Sequence, residues 1–185
     1  MISDIIRDAD AKMASAVEYA KEEFAAIRTG RAHPAMFAKL TAEYYGAPTP
    51  LQQLATFTSP DPRSMIITPF DQSSVNAIEK SIRDSDLGVN PSNDGKTIRV
   101  TLPQLTEQRR KEYIKLAKNK AEDARVSVRG ARRTAKDALD KMVKDKEVGE
   151  DEVARAEKQL DAATKKHTDA IDEVLKHKEA ELLAV

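Results

Sequence analysis

The sequence has 185 residues, of which 34% are charged and only 4% are aromatic, and it contains no tryptophan. Long helices with thin aliphatic cores explain such a composition better than an ordinary globular domain does. The absence of cysteine excludes disulfides, thiolate nucleophiles and cysteine-ligated metals, and the formal net charge of zero indicates no class of partner.

The N-terminal residues 1–13 are acidic and amphipathic, without the basic start and apolar run of a secretory signal. No stretch approaches the roughly 20 apolar residues that a membrane span requires. We therefore expect a soluble, cytoplasmic protein that has no membrane partner.

The prolines divide the chain into three regions. All eight lie between residues 34 and 103, and a proline inside a helix costs about 3 kcal/mol. The distribution predicts a long N-terminal helix, a compact mixed region, and then two further long helices.

Apolar residues recur at helical spacing from Ile2 to about Arg28, and Gly30 can adopt the left-handed conformation that often closes a helix. A second helix is predicted from Glu107 to Lys146 and a third from about Glu150 to Leu182. The buried positions predicted for the second helix alternate in steps of three and four: Ile114, Ala117, Ala121, Ala124, Val128, Ala131, Ala135, Ala138 and Met142. Three such stripes can bury one another in a three-helix bundle.

The region between the helices has the pattern of a small α+β domain. Alternation predicts strands at Met36–Glu43, Leu51–Thr58, Ser64–Phe70 and Lys96–Leu102. Asp71 or Ser73 is expected to cap a short helix that ends before Gly88, and Asn90–Gly95 is a predicted turn.

The predicted fold class is α+β, an elongated three-helix bundle with an inserted small β/α/β domain. The predicted bundle comprises residues 1–30 plus 106–185, and the predicted insert comprises residues 31–105. The two chain crossings are short, and we predict a hinge at 29–31 and 103–106, because few residues must change conformation there. The hinge residues are Thr29, Gly30, Arg31, Pro103, Gln104 and Leu105.

One side of the second helix is predicted to be basic. Cationic residues follow one another on it at helical spacing: Lys118, Arg125, Arg129, Arg132, Arg133 and Lys136. A solvated helix face and a phosphate-binding surface both fit this pattern. Few acidic residues are placed in the sequence to neutralise this side, which favours phosphate. Interleaved aromatic residues are absent, so backbone recognition of structured nucleic acid fits better than base stacking.

Nothing in the sequence indicates catalysis. The phosphate-binding loop, the serine nucleophile elbow and the His-Glu-x-x-His zinc pair are all missing. His167 falls on the buried stripe of the last helix, where we interpret it as a packing residue rather than a metal ligand. We predict no enzyme activity, no cofactor and no metal.

Four segments together resemble the bacterial ribosome recycling factor family. They are Ile27–Pro34, Ser85–Gly95, Leu102–Glu112 and Val126–Arg133, and the order of helix, insert, helix and helix is similar over the full length. The sequence departs from the family pattern at His33, where Asn or Ser is more usual, and at Gly130, where Asn or a helix-favouring residue is more usual.

The resemblance implies an L-shaped, two-domain molecule with the dimensions of a tRNA. It implies that the protein binds the large ribosomal subunit and its 23S rRNA after translation termination and separates the subunits together with elongation factor G and GTP. We expect a monomer whose Arg129, Arg132 and Arg133, with Arg125 beside them, bind the rRNA backbone. Arg28 and Arg31 are second choices. A nucleoid-type protein that coats nucleic acid is the alternative from a different class.

Overall fold

The structure is a computed structural model, and it describes residues 1–184. The chain divides into two compact units. Unit 1 contains Met1–Phe24 and Lys115–Glu179; unit 2 contains Ala25–Ile114 and the residues from Ala180 onward. The domain bounds and the hinge given above stay predictions.

Three long helices carry most of the chain. They are α1 (Ile2–Ala25), α4 (Glu107–Lys144) and α5 (Glu150–Leu183). The acidic residues Glu150, Asp151 and Glu152 form the first turn of α5, where negative charge interacts favourably with the helix dipole. Each helix ends within about three residues of its predicted end, as a pattern without internal proline allows.

The buried face of α4 is made mostly of alanine. Its buried residues are Ala117, Ala121, Ala124, Val128, Ala131, Ala135, Leu139 and Met142. Two of the predicted positions, Ile114 and Ala138, are only partly buried. Leu139 is buried in place of Ala138, because a helix with 3.6 residues per turn drifts relative to a strict seven-residue repeat. Further large buried side chains of unit 1 come from its other helices and include Met13 and Phe24 of α1 and Leu160 and Ile171 of α5.

Unit 2 contains six short strands and two shorter α-helices. They are β1 (Thr41–Tyr44), β2 (Ala47–Pro50), α2 (Leu51–Leu54), β3 (Ala55–Asp61), β4 (Ser64–Pro69), α3 (Val75–Arg83), β5 (Asn90–Asn93) and β6 (Ile98–Thr101). β1 and β2 form an antiparallel hairpin, and the other strands form an antiparallel sheet in the order β3-β4-β6-β5. Tyr45 and Gly46 connect the hairpin, both with positive φ, as the tightest hairpin turns require.

The first predicted strand, Met36–Glu43, is only half right. Residues Pro34–Phe37 form a 3-10 helical turn, and the strand begins at Thr41. Local chemistry overrides the alternation here: Pro34 presets a helical φ, and Nδ1 of His33 accepts a hydrogen bond from the backbone N–H of Ala35 at 3.1 Å.

Two other predictions in this region need correction. Leu51–Leu54 forms one helical turn rather than the start of a strand. Asn90–Asn93, predicted to be a turn, forms β5 and pairs with β6, so the turn is confined to the residues around Asp94 and Gly95. Pro91 is tolerated in β5 because that strand lies at the edge of the sheet. The strand predicted at Ser64–Phe70 is confirmed as β4. Asp71 caps the 3-10 turn Gln72–Ser74 that leads into α3, whereas the N-cap residue of α3 itself is Ser74.

Candidate nucleic-acid interface

Four arginines lie on one side of α4 within unit 1, and we call Arg125, Arg129, Arg132 and Arg133 the arginine cluster. At about 100° per residue their Cα positions span roughly a quarter of the helix circumference. They lie beside the buried positions Ala124, Val128 and Ala131. Packing of these three residues therefore fixes the direction in which the cluster faces.

Arg132 forms a close ion pair with α5. Its Nε atom donates to Oδ1 of Asp161 at 2.9 Å, and its Nη2 atom lies 2.8 Å from the same oxygen. The Arg132 side chain is 34% exposed and that of Asp161 is 61% exposed. The linear sequence predicts few carboxylates beside the basic side of α4. That prediction is wrong, because Asp161 and Asp172 of α5 and Glu122 of α4 itself lie beside it.

Within residues 1–184, Arg125 has two carboxylate partners, whereas Arg132 has one. Its Nε donates to Asp172 at 2.8 Å and its Nη1 donates to Glu122 at 3.1 Å, and its side chain is only 23% exposed. Burial lowers the pKa of Arg125, but the hydrogen bonds to the two carboxylates outweigh it and raise the pKa above its usual value. Arg125 therefore links α4 to α5.

Arg129 shares Glu122 with Arg125. Its Nη2 lies 2.6 Å from Oε1 of Glu122, and half of its side chain is exposed. Hydrogen bonds from Arg129 and then from Arg125 lower the pKa of Glu122 below its usual value. One turn beyond the cluster, Asp140 and Glu157 raise the pKa of Lys136.

Arg133 differs from the other three members of the cluster. It is exposed, and among residues 1–184 no side chain forms an ion pair or hydrogen bond with it. Beside it, an added Cβ on Gly130 would meet no heavy atom within 4 Å, so the packing of the described chain does not require glycine there.

Arg28 and Arg31 belong to unit 2 and differ sharply from each other. Arg28 is 5% exposed, and its guanidinium donates to the backbone carbonyls of Leu87 at 3.3 Å, of Gly88 at 3.5 Å, and of Pro103. Burial lowers the pKa of Arg28 below its usual value. Its Nη1 and Nη2 donors are therefore committed inside unit 2, whereas the side chain of Arg31 is exposed.

His167 is buried, and its Nε2 lies 2.9 Å from Oδ1 of Asp10 on α1. This contact supports the interpretation of His167 as a packing residue within unit 1. Within residues 1–184 no group of three or more His, Cys, Asp or Glu side chains could hold a metal ion. No helix in the same range is long and apolar enough to cross a membrane.

The family model described as "Ribosome recycling factor" matches residues 20–183. The chain belongs to the ribosome recycling factor family. Ribosome-recycling factors of Kineococcus radiotolerans and Streptomyces coelicolor are each 65% identical to it over 185 residues, covering the whole of both chains. The resemblance stated from the four sequence segments is thereby confirmed.

Two solved structures agree with the family assignment. One, the "solution structure of the ribosome recycling factor", superposes with a TM-score of 0.79 at 41% identity and covers 100% of this chain and 98% of the other. The second has a TM-score of 0.70 at 41% identity and comes from "Models for the T. thermophilus ribosome recycling factor and the E. coli elongation factor G bound to the E. coli post-termination complex". These matches confirm the α+β, two-domain fold class.

The structure brings the four α4 arginines together, whereas it buries the guanidinium of Arg28 within unit 2. The residues that sequence reasoning missed are the carboxylates facing the cluster, above all Asp161 and Asp172. One signal for them existed, because residues 150–185 carry ten acidic and six basic side chains whereas residues 107–146 carry seven acidic and fourteen basic ones. Opposite charge on two adjacent helices predicts contact between them.

Proposed function

We propose that this chain is a ribosome recycling factor that binds the large ribosomal subunit after termination and separates the subunits together with elongation factor G and GTP. The observation that carries the proposal is the full-length relationship to ribosome-recycling factors at 65% identity. The related T. thermophilus factor, described with elongation factor G on a post-termination complex, supports the choice of partners.

The rRNA contact surface is the exposed part of the arginine cluster, and Arg129, Arg132 and Arg133 are its main residues. Arginine binds phosphate oxygens through two parallel N–H groups, which suits recognition of an RNA backbone. Arg125 contributes positive charge to this surface rather than free hydrogen-bond donors, because Glu122 and Asp172 already bind its guanidinium. Arg31 remains a second candidate, and Arg28 is left out because its guanidinium is buried.

The proposed mechanism is mechanical and needs no catalytic group in this chain. Elongation factor G hydrolyses GTP and applies force to the insert, residues 31–105, and the bundle transmits it to the contacts between ribosomal subunits. The hinge at 29–31 and 103–106 lets the insert reorient. The bond from Arg28 to the carbonyl of Pro103 supports a version of this hinge in which the two crossings move together.

We further propose that the protein is a cytoplasmic monomer without a cofactor. The alternative is a nucleoid-type protein that coats nucleic acid, which would form oligomers and act without a GTPase. The 65% identity to ribosome-recycling factors over the whole chain favours recycling over that alternative.

The decisive experiment is a subunit-splitting assay on purified post-termination ribosomes, with and without elongation factor G and GTP. We expect splitting only when the factor, the GTPase and GTP are all present, and we expect the factor alone to sediment with large subunits. Splitting without the GTPase, or binding to any nucleic acid with equal affinity, would contradict the proposal.

A further inference from the structure

The arginine cluster is largely neutralised before any nucleic acid arrives. Asp161 pairs with Arg132, Asp172 pairs with Arg125, and Glu122 pairs with both Arg125 and Arg129. An RNA phosphate that binds these arginines must therefore compete with carboxylates of the protein itself.

The pair between Arg132 and Asp161 has the geometry of a phosphate contact. The Nε atom donates to one carboxylate oxygen and the Nη2 atom lies 2.8 Å from the same oxygen, so Asp161 occupies one of the two paired edges of the guanidinium. A phosphate can either displace Asp161 from that edge or bind the remaining edge with the Asp161 charge still within several ångströms. Breaking the ion pair opposes binding in the first case, and repulsion between like charges opposes it in the second.

Exchange of Asp161 for phosphate is feasible because the pair is exposed. Surface ion pairs contribute little net stability, so breaking the pair between Arg132 and Asp161 costs little free energy. With 61% of its side chain exposed, Asp161 can rotate into solvent and stay hydrated. Arg125 is a poor candidate for the same exchange, since two carboxylates hold its Nε, Nη1 and Nη2 atoms and its side chain is less exposed.

We propose that Asp161 is an internal competitor for Arg132, which occupies this arginine in the free protein and limits its affinity for rRNA phosphate. The inference rests on the proposed function, in which Arg132 contacts the large subunit. Its consequence is that binding exchanges one ion pair for another instead of adding a new one. The factor can then leave the subunit after each round, although its surface is rich in arginine.

The test compares two Asp→Asn substitutions on α5 that change the net charge identically. Asp161→Asn removes the competitor, whereas Asp169→Asn removes a carboxylate that pairs with Lys165 within α5 and is similarly exposed, at 58%. Affinity for purified large subunits is measured by sedimentation at about 100 mM monovalent salt and constant Mg²⁺. We expect Asp161→Asn to tighten binding about three- to tenfold and Asp169→Asn to change it less than about twofold.

The same two substitutions are then made together with Arg132→Gln. Arg132→Gln alone should weaken binding about tenfold, and in its presence Asp161→Asn should have no more effect than Asp169→Asn. Circular dichroism checks that helix content is unchanged, and Asp161→Ser serves as a second variant that also removes the charge.

The outcomes separate the inference from the proposed function. If Arg132→Gln weakens binding but Asp161→Asn leaves it unchanged or weaker, the competitor role is refuted and the rRNA contact stands. Equal tightening by both asparagine variants would refute it too, because net charge alone would explain the result. If Arg132→Gln leaves binding unchanged, the proposed contact at Arg132 itself is wrong.

Discussion

Arg28 gives the sharpest test of how the structure distinguishes one arginine from another. Arg28→Met keeps an unbranched side chain, although a shorter one, and removes the donors that reach the carbonyls of Leu87, Gly88 and Pro103. A hydrogen bond from a charged group contributes about 1.5–3 kcal/mol, and the two longer bonds here contribute less than that. The substitution also removes the buried Nε atom, which has no hydrogen-bond partner among residues 1–184. Removing this unsatisfied donor recovers about 1 kcal/mol of the lost stability. The expected loss in the free energy of unfolding of unit 2 is about 2–4 kcal/mol.

The assay is native-state hydrogen exchange, because it reports the stability of each unit separately. Amides of the central strands β4 and β6 should exchange roughly 30- to 700-fold faster in Arg28→Met. Arg31→Met is the matched control, and with an exposed side chain it should change stability by less than about 0.5 kcal/mol. Equal exchange rates in the two variants would refute the structural role assigned to the Arg28 guanidinium.

Three further predictions concern binding, packing and pH. Arg132→Ala should weaken large-subunit binding by about 1–3 kcal/mol and flatten its salt dependence, measured by sedimentation between about 50 and 200 mM salt. Val128→Asp should lower the melting temperature strongly, because it buries a carboxylate; Arg125→Asp should lower it less but measurably, since it would face two carboxylates. Hydrogen bonds to the side chains of Asp71 and Asp94 lower the pKa of each carboxyl, so both should stabilise unit 2 above about pH 4 and lose that effect as the pH falls further. Replacing both with Asn should flatten the acid side of a stability–pH profile.

The helices were largely predictable because their signals are local and repeat many times. Eight prolines confined to residues 34–103 exclude helix interiors from that region, and the alanine seam of α4 identifies its buried face. The error at Ala138 shows the limit, because a small drift in helical phase moves burial to Leu139. Short elements were harder to predict, because a single residue can decide between a turn and a strand. The cap at His33 produces a turn, and the edge position of Pro91 allows a strand.

The candidate surface was predictable only in part. Helical spacing identifies which arginines share a side of α4, but it carries no information about what another helix places opposite them. Asp161 lies 29 residues from Arg132, and Asp172 lies 47 residues from Arg125. Arg28 illustrates the same limit, since its acceptors are backbone carbonyls as many as 75 residues away, which no side-chain pattern encodes.

The prolines in the strands of unit 2 also affect how the protein behaves at high concentration. β3 and β5 are the two edge strands of the larger sheet, and they contain Pro60 and Pro91. In the hairpin, β2 contains Pro48 and Pro50. Unpaired strand edges invite intermolecular β-pairing, and proline blocks it because it offers no N–H to a neighbouring chain. We therefore expect the prolines in β2, β3 and β5 to disfavour edge-to-edge aggregation of this protein.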